Sequence, residues 1–185
     1  MRDARPVLIQ MSGRVIGIIL LSFGLLAGVA MYWLQVYAFY DEVTLAEDGG
    51  SVTLKLTTDE GTVLDLPARA FRGIDAESSP IRFRACFDAD IPAGIAPMAY
   101  PDALPLNAPG WFDCFDAAAI GADLASGAAT AYLGEENVLY GIDRVLAVYP
   151  DGRAYAWHQI NRCGDEVFDG KPAPEGCPPP PERDD

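Results

Sequence analysis

Residues 143–160 read DRVLAVYPDGRAYAWHQI, and this stretch decides the fold class. Asp143–Tyr149 is rich in branched and aromatic residues, as is Arg153–Ile160, so both read as strands. Between them Pro150-Asp151-Gly152 is a turn with a mechanism: proline presets φ and glycine accepts positive φ. Strands joined this tightly run antiparallel. On the returning strand Tyr155, Trp157 and Gln159 point one way, and Ala154, Ala156, His158 and Ile160 point the other. His158 thus sits among small apolar residues. A hydrogen-bonded core or edge histidine is the plainer account of it than a catalytic one.

Working outward, more strands appear. Ile81–Phe87 alternates Ile81, Phe83, Ala85 and Phe87 on one face with Arg82, Arg84 and Cys86 on the other. Ser51–Thr57 alternates likewise, Asp59-Glu60-Gly61 is a turn, and Thr62–Leu66 returns antiparallel until Pro67 stops it. Residues 89–110 carry five prolines and read as an extended loop, a binding surface or a cover for a sheet edge. Gly110–Phe115 is apolar enough to pack down near a cysteine. Asp116 caps a helix over Ala117–Ser126 that Gly127 ends, and Ala128–Leu133 suits a further strand. Gly170–Asp185 holds six prolines and reads as a stapled, then frayed, tail. The expected fold is α+β, a small, mainly antiparallel sheet of about five to six strands with one packed helix.

The N-terminal part is different. From Val15 to Tyr40 the chain runs VIGIILLSFGLLAGVAMYWLQVYAFY without a charge. About 20 such residues cross a bilayer core as a helix. Tyr32, Trp33, Tyr37, Phe39 and Tyr40 crowd its C-terminal end as an interfacial belt does. Arg2, Arg5 and Arg14 precede the run, and Asp41, Glu42, Glu47 and Asp48 follow it. The positive-inside rule then puts residues 1–14 in the cytoplasm and 41–185 outside. A signal peptide cleaved after Gly28-Val29-Ala30 is the rival, but the apolar run continues well past position 28. Either Met1 or Met11 serves as a start. Gly17, Gly24, Gly28 and Gln35 share one helix stripe, and Gly24–Gly28 is a GxxxG pattern that lets two helices approach closely. That stripe offers contact with a membrane partner; frequent glycine in membrane helices is the plainer account. The organisation is a cytoplasmic segment 1–14, a transmembrane helix 15–40, an exported domain 41–169 and a Pro-rich tail 170–185.

Cys86, Cys114, Cys163 and Cys177 all lie in the exported part. An even count in an oxidising compartment reads as two disulfides, and four cysteines allow three pairings. Cys86–Cys114 with Cys163–Cys177 closes the shorter, non-overlapping loops. A redox or metal site is the sharper alternative, yet there is no CxxC, and His158 with Cys163 is a weak ligand pair. No metal or other cofactor is implied. Two lysines against eleven arginines, with much Ala and Gly, suggest a GC-rich bacterium and hence a periplasm.

Charge excludes one class of partner outright. The chain carries −14 overall, with 27 acids and 13 bases, and lacks the clustered Lys and Arg that nucleic-acid binding needs. Arg82 and Arg84 stand out in so acidic a domain. They suit either an anionic ligand or, more simply, pairing with the domain's own carboxylates. No GxSxG, Walker loop, HExxH or GxGxxG occurs.

The stretches Arg72–Phe87, Pro109–Asp116 and Tyr140–Asn161 resemble an uncharacterised alphaproteobacterial family of proteins with one N-terminal membrane helix and a domain of unknown function. The resemblance covers nearly the whole chain, anchor included, and implies no activity and no functional residues. Some members of that family carry the name histidine kinase. The residues argue against it, since the one histidine lies in a strand and no ATP-binding domain fits in the chain. The expected function is a non-catalytic, membrane-anchored accessory or assembly module of the bacterial inner membrane that meets lipid and protein. The alternative is an envelope enzyme or ligand binder centred on Arg82, Arg84 and His158. A pocket gathering those three favours the second, and a shallow apolar surface beside the Pro-rich loop favours the first.

Overall fold

The computed structural model describes residues 12–181. Arg2, Arg5 and the choice between Met1 and Met11 lie outside the described residues, as does the end of the tail. The chain forms two compact units, Met1–Phe39 and Tyr40–Asp185.

The first unit is one helix, α1, Gly13–Val36. Its 24 residues span about 36 Å at 1.5 Å per residue, enough for a hydrocarbon core of about 30 Å. None of its residues is buried, although its mean hydropathy reaches 2.3 over an 18-residue window. A helix apolar on every side needs an apolar surrounding, and a single-pass membrane anchor supplies it. The helix ends four residues before the apolar run does. Tyr40 belongs to the second unit, its ring edge-on to Trp111 at 6.1 Å.

The second unit is built on a six-stranded antiparallel sheet. In chain order its elements are β1 (Asp41–Val43), β2 (Lys55–Thr57), β3 (Val63–Asp65), β4 (Ala68–Asp75), β5 (Arg84–Ala89), α2 (Ala117–Ser126), β6 (Thr130–Leu139), β7 (Ile142–Val148), β8 (Arg153–Ile160) and α3 (Arg162–Phe168). The strand order is β1-β4-β5-β8-β7-β6, and β2–β3 form a separate hairpin. The β7–β8 turn closes through Tyr149 N–H to Arg153 O at 2.9 Å, with Gly152 at φ +91°. Because Val145 pairs with Trp157 and Leu146 with Ala156, the sheet has two buried faces. Phe83, Ala85, Phe87, Leu146 and Ala156 pack under Leu54, Leu56 and Leu66 of the hairpin layer. Val145, Ala147 and Trp157 pack on the other side under Phe112, Phe115 and Ile120. Trp157 and Phe83 are fully enclosed, each burial contributing about 1.5–3 kcal/mol.

α2 begins where Asp116 accepts from the Ala118 and Ala119 N–H groups and ends at Gly127 with φ +78°. The Pro-rich loop covers the open edge of β6. Leu133 N–H donates to Met98 O at 2.9 Å, and Tyr100 N–H donates to Ala131 O at 3.0 Å. Disulfides join Cys86 of β5 to Cys114 ahead of α2, and Cys163 of α3 to Cys177 of the tail. Tyr140 Oη donates to Pro178 O and Arg162 to Glu175 O, so the tail is stapled at its base.

Some elements depart from the sequence reading. Ser51–Leu54 is mostly irregular, and the strand there is only Lys55–Thr57. β5 begins at Arg84 because Glu77–Ile81 is occupied by turns. β4 and α3 are elements that the sequence did not announce. α3 is capped by Asn161, whose side chain accepts from Cys163 and Gly164 N–H.

Candidate functional site

Arg82, Arg84 and His158 do not form one pocket. Arg84 stands opposite Trp157 on β8, so it lies on the Trp157 face of the sheet, while the next residue, His158, lies on the other. Each is committed locally. Arg84 is 4% exposed, and its guanidinium donates to main-chain carbonyls alone: Leu106 at 2.7 Å, Ile81 at 2.8 Å, Phe83 at 2.6 Å and Asn107 at 3.3 Å. It also lies 5.8 Å from the Phe115 ring centre. Burial pulls its pKa down to about 10, which still leaves it charged at neutral pH. Carboxylate pairing, the simpler expectation, is replaced by carbonyl clamping: Arg84 fastens the end of the Pro-rich loop to the sheet. Arg82 sits ahead of β5 with its guanidinium 5.4 Å from the Tyr40 ring centre.

His158 is 6% exposed and stacked on Phe83 at 4.7 Å between ring centres. Arg144 Nε lies 3.2 Å from its Nε2, and arginine only donates, so Nε2 must accept. Nδ1 therefore carries the proton and donates to Pro80 O at 2.7 Å. Burial and the Arg144 charge push the imidazole pKa down to about 4. With both nitrogens engaged and the ring neutral, His158 serves as a structural joint between β8, β7 and the Pro80 turn. Arg144 completes it by donating to Thr53 O at 2.9 Å and lying 4.6 Å from the Phe83 ring centre. The adjoining cavity of about 410 Å³ is bordered by Asp41, Asp75 and Glu77, a lining that repels an anion. Asp75, half-buried, has its pKa raised chiefly by that burial.

Cys163 is in a disulfide and so cannot join His158 around a metal. Among the described residues no group of three or more His, Cys, Asp or Glu side chains is placed to hold one. Along α1, a Cβ at Gly17, Gly24 or Gly28 would meet no atom within 4 Å among the described residues, and Gln35 is exposed.

Two arrangements escaped the sequence reading. Asp143 is 5% exposed yet accepts from Asn137 N–H at 2.9 Å, Asn161 Nδ2 at 2.6 Å and Tyr100 Oη at 3.1 Å. Burial and that carboxylate raise the Tyr100 pKa, so the phenol stays protonated. An acid at the start of a strand whose last four residues are all apolar was the available signal. The second is a groove of about 510 Å³ between α2 and residues 99–103, with Gly121, Leu124, Ala125, Ala129 and Ala131 in its walls. No charged side chain lines it, in a domain where acids outnumber bases 26 to 10. Its lining mixes the apolar side chains of Leu124, Pro101 and several alanines with the polar groups of Tyr100, Thr130 and the main chain.

No curated protein and no solved structure matches the chain. Residues 52–178, which hold five of the six strands of the main sheet, the β2–β3 hairpin, both disulfides and the groove, match the family of unknown function DUF6446, and the chain belongs to that family.

Proposed function

We propose that the protein is a non-catalytic interaction module held in a bacterial inner membrane by α1, with residues 1–14 cytoplasmic and the folded domain in the periplasm. There it acts as an accessory or assembly protein through contacts with other envelope proteins. The observation that carries this reading is the groove beside the Pro-rich loop, a recess without a charged side chain in an otherwise acidic domain. The dispersal of Arg82, Arg84 and His158 supports it against a ligand-binding or enzymatic alternative. Two disulfides suit an oxidising compartment, and the arginines ahead of α1 suit an N-in orientation. The Gly17, Gly24, Gly28, Gln35 stripe gives a second place for contact, within the bilayer.

Purification of the full chain in a mild detergent, with crosslinking and mass spectrometry, tests the proposal. A defined envelope protein crosslinked in near-stoichiometric yield is the expected result. A chain that purifies alone and acquires no reproducible crosslink in intact cells overturns it.

A further inference from the structure

We propose that the end of the sheet at which the chain enters the domain seats on the bilayer surface, with Leu104, Leu139, Ile160 and Phe168 lowered into zwitterionic lipid where headgroups meet acyl chains. This rests on the α1 anchor of the proposed function and is independent of the groove. Register fixes which end that is. Asp41 opens β1 and pairs with Asp75, the last residue of β4. Arg84 opens β5 opposite Ile74, and Ile142 opens β7 opposite both Ile160, which ends β8, and Leu139, which ends β6. All six strands thus start or stop beside Asp41. Four residues, 37–40, join α1 to β1, and fully extended they reach about 14 Å. The interfacial layer outside the hydrocarbon is itself about 5–7 Å deep on each side. The tether therefore holds this end of the sheet within reach of the headgroups.

Exposed apolar bulk gathers at the same end. Among the described residues of the domain the large apolar side chains left exposed are Val63, Leu104, Leu139, Ile160 and Phe168. Leu139 and Ile160 close their strands, and Leu139 borders one cavity with Asp41 itself. Leu104 N–H donates to Gln159 Oε1 at 2.7 Å, next to Ile160. Phe168 ends α3, and its ring lies 3.1 Å from where a Cβ on Gly141 would stand, in the β6–β7 turn. Val63 alone belongs elsewhere, to the β2–β3 hairpin. Single exposed apolar residues need no account, but their gathering at the end fed by an apolar helix does. Because the anchor keeps them at high local concentration near lipid, partial burial of each suffices.

Charge selects the lipid. Asp41 and Glu77 border the recess beside Leu139, Asp102 and Glu136 border the recess beside Ile160, and Arg162 is the one Lys or Arg lining either. These carboxylates repel a net anionic headgroup and attract the ammonium of a zwitterionic one. They also stop the domain at headgroup depth, since a carboxylate carried into hydrocarbon loses its hydration.

Depth measurement in the full chain tests the proposal. Leu34→Cys, Val63→Cys, Leu139→Cys and Phe168→Cys each accept one fluorophore, because the native cysteines are paired. Each is reconstituted at one copy per phosphatidylcholine nanodisc that carries a nitroxide high on the acyl chain. Leu139→Cys and Phe168→Cys should be quenched roughly threefold more than Val63→Cys. Adding Leu104→Glu and Phe168→Glu should bring Leu139→Cys down to the Val63→Cys level, with circular dichroism showing that the variant still folds. Replacing part of the lipid by phosphatidylglycerol should weaken the quenching. Equal quenching at the three domain positions, with strong quenching at Leu34→Cys, overturns the seat and leaves the anchor standing. Weak quenching at Leu34→Cys removes the anchor as well. Quenching that phosphatidylglycerol strengthens or leaves unchanged overturns the choice of lipid. Shielding of Leu139→Cys from aqueous acrylamide without nitroxide quenching, seen only in discs with two copies, overturns the proposal in favour of a second copy of this chain.

Discussion

Protonating His158 would break the joint it makes, because Nε2 would become a second donor facing the Arg144 guanidinium. Its folded pKa of about 4 lies below the ordinary value of 6.5, so the unfolded chain binds the proton more readily. The stability this provides is complete above about pH 6.5 and is lost as pH falls toward 4. The full loss is on the order of 3 kcal/mol for a shift of this size. Asp75 acts in the opposite sense, since its raised pKa favours the protonated folded form. Comparison with His158→Gln separates the two, because glutamine can accept from Arg144 and donate to Pro80 without titrating. Urea unfolding of the full chain in detergent, followed by tryptophan fluorescence, should give a shallower decline between pH 6.5 and 4 for the variant. Superimposable pH profiles would refute the role assigned to this histidine. Arg84 teaches the same lesson about reading single residues. Its charge was conspicuous in the sequence, but its acceptors at Leu106 and Asn107 lie more than twenty positions away and are main-chain atoms. No side-chain pattern announces carbonyls.

Elements whose ends carry their own chemistry were legible, and those held by neighbours were not. α2 was marked by Asp116 and Gly127, and the β7–β8 hairpin by Pro150-Asp151-Gly152, all of them local devices. β4 has no such marks. It follows Pro67, contains Gly73 and bends at Ala70, which takes φ +51° where β4 slips register against β5. Pairing with β1 and β5 makes it a strand. α3 has only seven residues and an interior glycine, so propensity argued against it, and the Asn161 cap was its one signal. That glycine is needed for contact. A Cβ on Gly164 would come within 3 Å of Gly141 main-chain atoms. Gly164→Ala should therefore push α3 off the β6–β7 turn and cost about 1–3 kcal/mol, the range for overpacking. Gly121→Ala is the control, since its Cβ enters open space, and it should be neutral or slightly stabilising. Equal midpoints for the two variants in thermal unfolding would contradict the close approach.

At the scale of the whole molecule, an apolar helix with no buried residue and a disulfide-linked domain call for different surroundings: hydrocarbon for one, an oxidising aqueous compartment for the other. A periplasm-dependent reporter fused after Asp185 should be active, and a signal from a cytoplasm-dependent reporter there would reverse the proposed orientation. Within the domain the two disulfides do unequal work. Cys163–Cys177 closes 14 residues and ties down a tail whose described residues, 170–181, contribute to neither buried cluster. Cys86–Cys114 closes 28 and joins β5, at 9% exposure for Cys86, to the segment whose Phe112 and Phe115 cover Trp157. Chain entropy alone favours the longer loop by only about 0.6 kcal/mol, so packing must separate the two. Replacing Cys163 and Cys177 by alanine should expose residues 170–181 to proteases and leave the sheet's circular dichroism intact. Replacing Cys86 and Cys114 should cost about 3–4 kcal/mol and loosen the aromatic cover over Trp157, seen as a red shift of its fluorescence. The native chain, unfolded without reductant, should titrate no thiols. Free thiols in freshly isolated protein, or an unfolded sheet after loss of the tail bridge alone, would show that the cysteines serve something other than this division of labour.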